Sequence, residues 1–271
     1  MRTDDYNLAG IGKKLTTKWV GSRLSFYESI DSTNMRAWQE AQKGAPHGTL
    51  IVADLQTSGR GRRGRSWESP AGVNIYFSLI LRPDLVQDKA SMLTITMAHS
   101  VSKALAGNTG IDCQIKWPND IVVNGKKVCG ILTEMGFNKD GGYYVVVGVG
   151  INVRPQHFAP ELADKATSLE DEDGRLQKLS RSHLLAEIMD AFEADYDSLM
   201  VCQDLTGILE SYNHMLINRN ARVRVLDPKG EYEGESCGIT KTGELLVETA
   251  DGTMVQVYAG EVSVRGIYGY V

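Results

Sequence analysis

The sequence predicts an α+β fold, in which a larger domain of consecutive β-strands with flanking helices is followed by a small β-barrel. Three observations carry this expectation. Strand-like runs at 114–117, 121–123, 127–135 and 143–153 succeed one another with only turns between them, unlike the strict alternation of a doubly wound sheet. Apolar residues recur at helical spacing in 88–105, 182–200 and 205–216. From Arg222 onward, short alternating strands are punctuated by Asp227-Pro228-Lys229-Gly230, Lys241-Thr242-Gly243 and Asp251-Gly252, the pattern of a small barrel.

In chain order, 23–29 alternates as a strand, and Asp31 or Ser32 caps a helix that ends near Gly44. Residues 49–53 form a short β-branched and apolar run, 59–67 a loop, and 74–81 a buried strand bounded by Pro83. The helix at 88–105, carried by Met92, Ile95, Ala98, Val101 and Leu105, is expected to end at Gly107. After it, the Asn124-Gly125 pair marks a hairpin, so the strands around it should form an antiparallel meander. Residues 155–178 are polar and read as a surface excursion. The domains expected are an N-terminal extension at 1–22, a catalytic body at 23–218 and the barrel at 219–271.

A hydrophobic fraction of 42% over 271 residues supports a buried core. No run reaches the roughly 18–20 apolar residues of a bilayer span, and Asp4 and Asp5 replace a signal-like start, so a cytoplasmic location is expected. Cys113, Cys129, Cys202 and Cys237 lack metal-ligand spacing and read as reduced packing residues. A net charge of −5 argues against a general nucleic-acid binder. Positive charge is nevertheless concentrated in Arg60, Arg62, Arg63 and Arg65.

Four segments carry chemistry. In Gln56-Thr57-Ser58-Gly59-Arg60-Gly61-Arg62-Arg63-Gly64-Arg65-Ser66-Trp67, glycines let the backbone approach an anion and arginines offer forked donors. The run sits between two apolar strands and ends in a tryptophan able to stack on a base, so a nucleotide suits it better than a long polymer. It lacks the Walker pattern. Lys116-Trp117-Pro118-Asn119-Asp120, followed by Lys126 and Lys127 on the hairpin, can stabilise charge gathering on a carboxylate and an α-phosphate. Ser32-Thr33-Asn34 supplies neutral hydrogen-bonding groups at a strand-to-helix junction, although capping alone would account for them. In Gly148-Val149-Gly150-Ile151-Asn152-Val153 a strand ends in an amide, and its glycines could mean only tight packing.

In this order the four segments resemble the biotin protein ligase family, over about residues 26–265. The resemblance implies a mixed β-sheet with flanking helices, related to class II aminoacyl-tRNA synthetases, and an SH3-like C-terminal domain. It also implies ATP-dependent formation of biotinyl-5'-AMP and transfer of biotin to a lysine of a biotin carboxyl carrier protein, with Mg entering on ATP and no metal held directly by the protein. Carried over residue by residue, Ser32, Thr33, Asn34, Gln56, Arg60, Gly61, Arg62 and Lys127 are implied to bind biotin. Arg62, Arg65, Trp67, Asn119 and Asn152 are implied to bind the nucleotide, and Lys127 and Arg62 to be catalytic, Lys127 foremost and Arg62 by retaining the adenylate. Asp120 is a candidate base for the acceptor lysine, and Cys129 stands where many relatives have alanine.

Because the second step needs no enzyme nucleophile, no Ser-His-Asp or Cys-His arrangement is expected. About 30 residues precede the Ser-Thr-Asn triplet, fewer than the winged helix-turn-helix of some family members requires, so DNA binding is not expected from this chain, while the resemblance of 6–21 to the linker that follows that module leaves a longer native chain open. A homodimer through an exposed sheet edge stays open. The alternatives are a lipoate ligase or octanoyltransferase, against which the intact Arg-rich loop argues, and a non-enzymatic biotin sensor.

Overall fold

The computed structural model describes residues 5–138, 141–176, 179–228, 230–260, 263–266 and 270–271. Asp4, Lys178 and Lys229, which entered the sequence reading, lie outside them.

The body begins with α1 (Leu8–Gly12), β1 (Leu24–Tyr27), α2 (Thr33–Gln42), β2 (Thr49–Ala53) and β3 (Ile75–Leu81). It continues through α3 (Met92–Thr109), β4 (Gln114–Lys116), β5 (Asp120–Val123), β6 (Lys126–Phe137) and β7 (Tyr143–Ile151), then α4 (Leu169–Glu172), α5 (Arg181–Cys202) and α6 (Leu209–Met215). Its sheet runs β1-β2-β3-β7-β6-β5-β4. The expected meander holds from β4 to β7, but β1 and β2 are parallel, which makes the sheet mixed. The reason is α2: a helix between two strands carries the chain back to the same end of the sheet, where only a parallel partner can form.

Every residue of β2 and β3 is buried, because both sheet faces are covered. Ile51, Ile80 and Val146 pack with Ala37 and Ala41 of α2. Their neighbours Leu50, Leu79 and Val147 point the other way, into the core shared with α3 and α5. Helix α3 runs past the expected stop at Gly107 and ends at Gly110, whose φ of 72° supplies the left-handed cap. Asp88, expected inside it, lies in a separate 3-10 turn, and α6 starts later than its apolar spacing suggested. The segment before β1 is fastened to α5: the Glu193 carboxylate accepts the backbone N–H groups of Lys18 (2.7 Å), Trp19 (2.7 Å) and Val20 (3.1 Å).

The second unit contains β8 (Ala221–Leu226), β9 (Tyr232–Ile239), β10 (Leu245–Thr249), β11 (Met254–Val257) and β12 (Ser263–Gly266). They form an antiparallel sheet ordered β11-β10-β9-β8-β12. The unit docks on the body through Trp117 Nε1, which donates to Gly243 O at 2.9 Å, and Asn213 Oδ1, which accepts from the Ile239 N–H at 2.9 Å. Among the described residues no helix is long and apolar enough to cross a membrane. Cys113 and Cys129 are free and buried, and burial pushes both thiols up, that of Cys113 to about 12.

Candidate active site

A cleft of about 960 Å³ opens between the sheet, the Arg-rich loop and the second unit. It is lined by Ser32, Thr33, Asn34, Gln56, Arg60, Gly61, Arg62, Arg65, Trp67, Asn119, Lys127 and Asn152, so it gathers every site residue expected from sequence.

The loop is closed by its own backbone. Trp67 N–H donates to Gly59 O (2.9 Å) and Gly61 N–H to Arg65 O (2.8 Å), with Arg63 at φ 59° and Gly64 at φ 70° making the turn. Arg62 is anchored on both sides, by Nη1 to Asn119 Oδ1 (2.6 Å) and by Nη2 to Gly260 O in the second unit (2.8 Å). Burial lowers the Arg62 guanidinium, against the opposing field of Asp120, yet an arginine stays cationic at any working pH.

At the start of β6, Lys127 Nζ lies 2.6 Å from Asp120 Oδ1. Burial pushes the Asp120 carboxyl up, but Lys127, Tyr270 and Lys116 together hold it below the ordinary carboxylate range. Lys116 is 7% exposed; burial lowers its ammonium to about 8, with the like charges of Lys127, Arg265 and Arg65 acting the same way and Asp120 opposing. As pH rises through about 8 the positive form of Lys116 is lost. We therefore expect affinity for a phosphate-bearing ligand at this end to fall roughly tenfold between about pH 7 and 9, the worth of a charge-assisted hydrogen bond, while affinity for a neutral ligand at the opposite end holds. Calorimetric titrations at the two pH values check this.

At the other end Ser32 caps α2, accepting from Met35 N–H at 3.5 Å. Gln56 Oε1 accepts from the Thr33 N–H (2.9 Å) and hydroxyl (3.1 Å). Asn34 is held rigidly: Nδ2 donates to Leu132 O (3.2 Å) and Glu134 Oε2 (2.9 Å), and Oδ1 accepts from Ser78 Oγ (2.6 Å). The triplet thus does more than cap. Ser78 and Glu134 carried no local sequence signal, because each meets Asn34 only across the sheet.

The glycines of β6 and β7 form the floor. Gly130 and Gly150 are register partners, and a Cβ on Gly150 would lie 2.4 Å from Trp67 Nε1, one on Gly130 2.9 Å from Trp67 Cζ3. A Cβ on Gly148 would lie 1.7 Å from Asn34 Oδ1. Bare backbone is therefore what seats both side chains. Trp67 Nε1 is buried and has no hydrogen-bond partner among the described residues. Asn152, by contrast, is engaged within the protein, its Nδ2 donating to Thr167 O (3.0 Å) and its Oδ1 accepting from Gln156 (3.1 Å).

The stretch after β7, read from sequence as a surface excursion, returns to wall the cleft with Phe158, Leu162 and Lys165. Lys127 N–H donates to Lys165 O (2.8 Å) and Thr167 N–H to Lys127 O (3.0 Å), an added strand edge that polarity could not reveal. Arg265 also enters from the second unit. Among the described residues, eight lysines and arginines line the cleft against Glu68, Asp120 and Glu161, an excess that favours a polyanionic ligand.

A Ser-His-Asp arrangement, not expected from sequence, is present elsewhere: His99 Nδ1 is 2.7 Å from Asp195 Oδ2 and Nε2 is 2.7 Å from Ser211 Oγ. It joins α3, α5 and α6, and the small void beside Asp195 and Ile208 has no room for a water molecule. It serves as a helix tie.

An α+β body whose cleft has a rigid neutral hydrogen-bonding end and a strongly cationic end defines a protein that binds a small polar molecule beside a phosphate-bearing one. The family described as Biotin/lipoate A/B protein ligase matches residues 26–152, and the Biotin protein ligase C terminal domain matches 220–265. The bifunctional ligase/repressor BirA of Bacillus subtilis is 40% identical over 252 residues, 92% of this chain and 76% of that protein. The biotin--[acetyl-CoA-carboxylase] ligase of Mycobacterium tuberculosis is 30% identical, over 89% of this chain and 88% of the relative. Among solved structures, the biotin protein ligase from Aquifex aeolicus in complex with biotin and ATP superposes with a TM-score of 0.79 at 30% identity, covering 90% of this chain and 99% of that one. The chain belongs to the Biotin/lipoate A/B protein ligase family, and within it to the biotin protein ligases.

Proposed function

We infer that the chain is a biotin protein ligase that uses ATP to make biotinyl-5'-AMP and then biotinylates a lysine of a biotin carboxyl carrier protein. The observation that carries the reading is one cleft joining the rigid Ser32-Thr33-Asn34 end to the Arg62, Lys116 and Lys127 end.

In the first step a biotin carboxylate oxygen bonds to the α-phosphorus of ATP and pyrophosphate leaves. The metal ion enters as part of this nucleotide substrate, carried by its phosphates. Ser32, Thr33, Asn34 and Gln56 hold the ureido group, whose N–H donors and carbonyl match their polar atoms. Arg60 and Gly61 close over biotin, and Arg65, Trp67, Asn119 and Asn152 face the nucleotide. Lys127, aimed by its ion pair with Asp120, stabilises the negative charge gathering between carboxylate and α-phosphate. In the second step the neutral acceptor amine bonds to the anhydride carbonyl carbon, AMP leaves and the amine loses a proton. Both oxygens of Asp120 are occupied, by Lys127 and Asn119 on Oδ1 and Tyr270 on Oδ2, so its part in this reading is to orient Lys127 rather than to take that proton. We place the catalytic body at 23–218 and the C-terminal unit at 219–271.

Arg62 bridges Asn119 and the second unit, so it retains the adenylate in this reading. Arg62→Ala is expected to shorten adenylate retention by about 10- to 100-fold, the worth of hydrogen bonds made by a charged group. Release of preformed biotinyl-5'-AMP into solution, followed with time, measures it.

The function itself is tested by calorimetric titration with biotin and with lipoate, each with and without Mg-ATP, and mass analysis of the product. Tight biotin binding with a biotinyl-5'-AMP product is the expected result. Lipoate preference would favour the lipoate ligase reading, and biotin binding without adenylate a sensor.

A further inference from the structure

The segment Tyr270–Val271 lies beyond the matched C-terminal domain, which stops at residue 265, yet its Tyr270 lines the cleft. The Tyr270 hydroxyl donates to Asp120 Oδ2 at 2.5 Å. The other oxygen of that carboxylate, Oδ1, meets Lys127 Nζ at 2.6 Å and Asn119 Nδ2 at 3.1 Å. Lys116 Nζ sits 3.7 Å from the centroid of the Tyr270 ring. The segment has a built seat: a Cβ on Gly266 would lie 1.9 Å from Val271 O, and one on Gly125 3.2 Å from Val271 Cγ2. Glycines at the end of β12 and in the β5–β6 turn thus leave room for Val271.

We propose that Tyr270 is a positioning residue for adenylate formation, fixing the Asp120 carboxylate that aims Lys127 and holding the Lys116 ammonium apart from Asp120, toward the nucleotide phosphates. This rests on the role given above to Lys127. A carboxylate with a neutral donor on one oxygen and an ammonium on the other cannot turn about its Cβ–Cγ bond without breaking both contacts, so Lys127 keeps one direction. Lys116 has no ion pair among the described residues although Asp120 is close enough to act on its charge. The aromatic face satisfies the ammonium on one side and leaves its N–H donors for an anion. Burial pushes the phenol far up, so it remains a neutral donor throughout the working range. Among the described residues, the second unit therefore reaches the cationic end of the cleft through Gly260 on Arg62 and through Tyr270 on Asp120.

The test uses the full chain with Tyr270→Phe and Tyr270→Ala, following pyrophosphate release against ATP at saturating biotin, ATP and biotin affinities by calorimetry, and thermal unfolding. Tyr270→Phe keeps the ring and loses the hydroxyl: kcat for adenylation should fall about tenfold, the worth of a hydrogen bond to a charged group, with ATP KM unchanged. Tyr270→Ala should show that loss and in addition weaken ATP binding about tenfold, while biotin affinity and the thermal midpoint hold in both variants. Wild-type kcat in Tyr270→Phe would overturn the proposal, as would faster turnover in Tyr270→Ala, the mark of an obstructing plug, or a parallel loss of biotin affinity and stability. Failure of the wild-type chain to form adenylate would instead overturn the function inferred above.

Discussion

Replacing Lys127 by alanine is expected to lower the rate of biotinyl-5'-AMP formation about 100- to 1000-fold, the usual consequence of removing one preorganised group that meets transition-state charge. The side chain can be removed cleanly. It is a quarter exposed, and Asp120 retains Tyr270 on Oδ2 and Asn119 on Oδ1, so the carboxylate left behind stays hydrogen-bonded on both oxygens. Biotin affinity without ATP should change far less than kcat, since the neutral end of the cleft is built by other residues. Single-turnover pyrophosphate release at saturating biotin and ATP gives the number. A rate within threefold of the parent chain would remove Lys127 from the chemistry.

Gly148→Ala should weaken biotin binding about 100-fold, or ~2.8 kcal/mol. The added methyl carbon would stand 1.7 Å from Asn34 Oδ1, a distance no relaxation of the methyl itself can relieve because it is fixed to the β7 backbone. Asn34 must move and give up Ser78, Leu132 and Glu134. Overpacking of this kind also costs about 1–3 kcal/mol of stability. Gly107→Ala is the control, because nothing lies within 4 Å of a Cβ built there and the residue is inside α3. That variant should bind biotin normally and be no less stable. Calorimetric biotin titration of the pair decides it, and equal affinities would mean that Asn34 is not a biotin contact.

The Arg-rich loop and the motif from Lys116 to Asp120 were legible because their residues are adjacent in the chain, where spacing and residue type already limit the chemistry. The Gly-x-Gly pair was legible only as a pattern. Its purpose depends on what lies over the strand, Trp67 above Gly130 and Gly150 and Asn34 beside Gly148, and neither neighbour is near in sequence. Phe158 and Lys165 were missed for the opposite reason: their segment is polar on average, and polarity says nothing of which few side chains turn inward.

By itself the sequence determined the α+β class, most strand and helix positions, the separate antiparallel C-terminal unit and the cationic and amide groups of the cleft. These follow from local periodicity, turn chemistry and residue type, which act over a few residues. Tertiary structure alone decided that β1 pairs parallel to β2, that Ser78 and Glu134 lock Asn34, that Gly260 anchors Arg62, and that Arg265 and Tyr270 enter the cleft from the second unit. Such contacts join residues as many as 198 positions apart, as between Arg62 and Gly260. They form only when the burial of an apolar core shared by the body and the second unit outweighs the entropy of closing the chain between them, so no local pattern could have announced them.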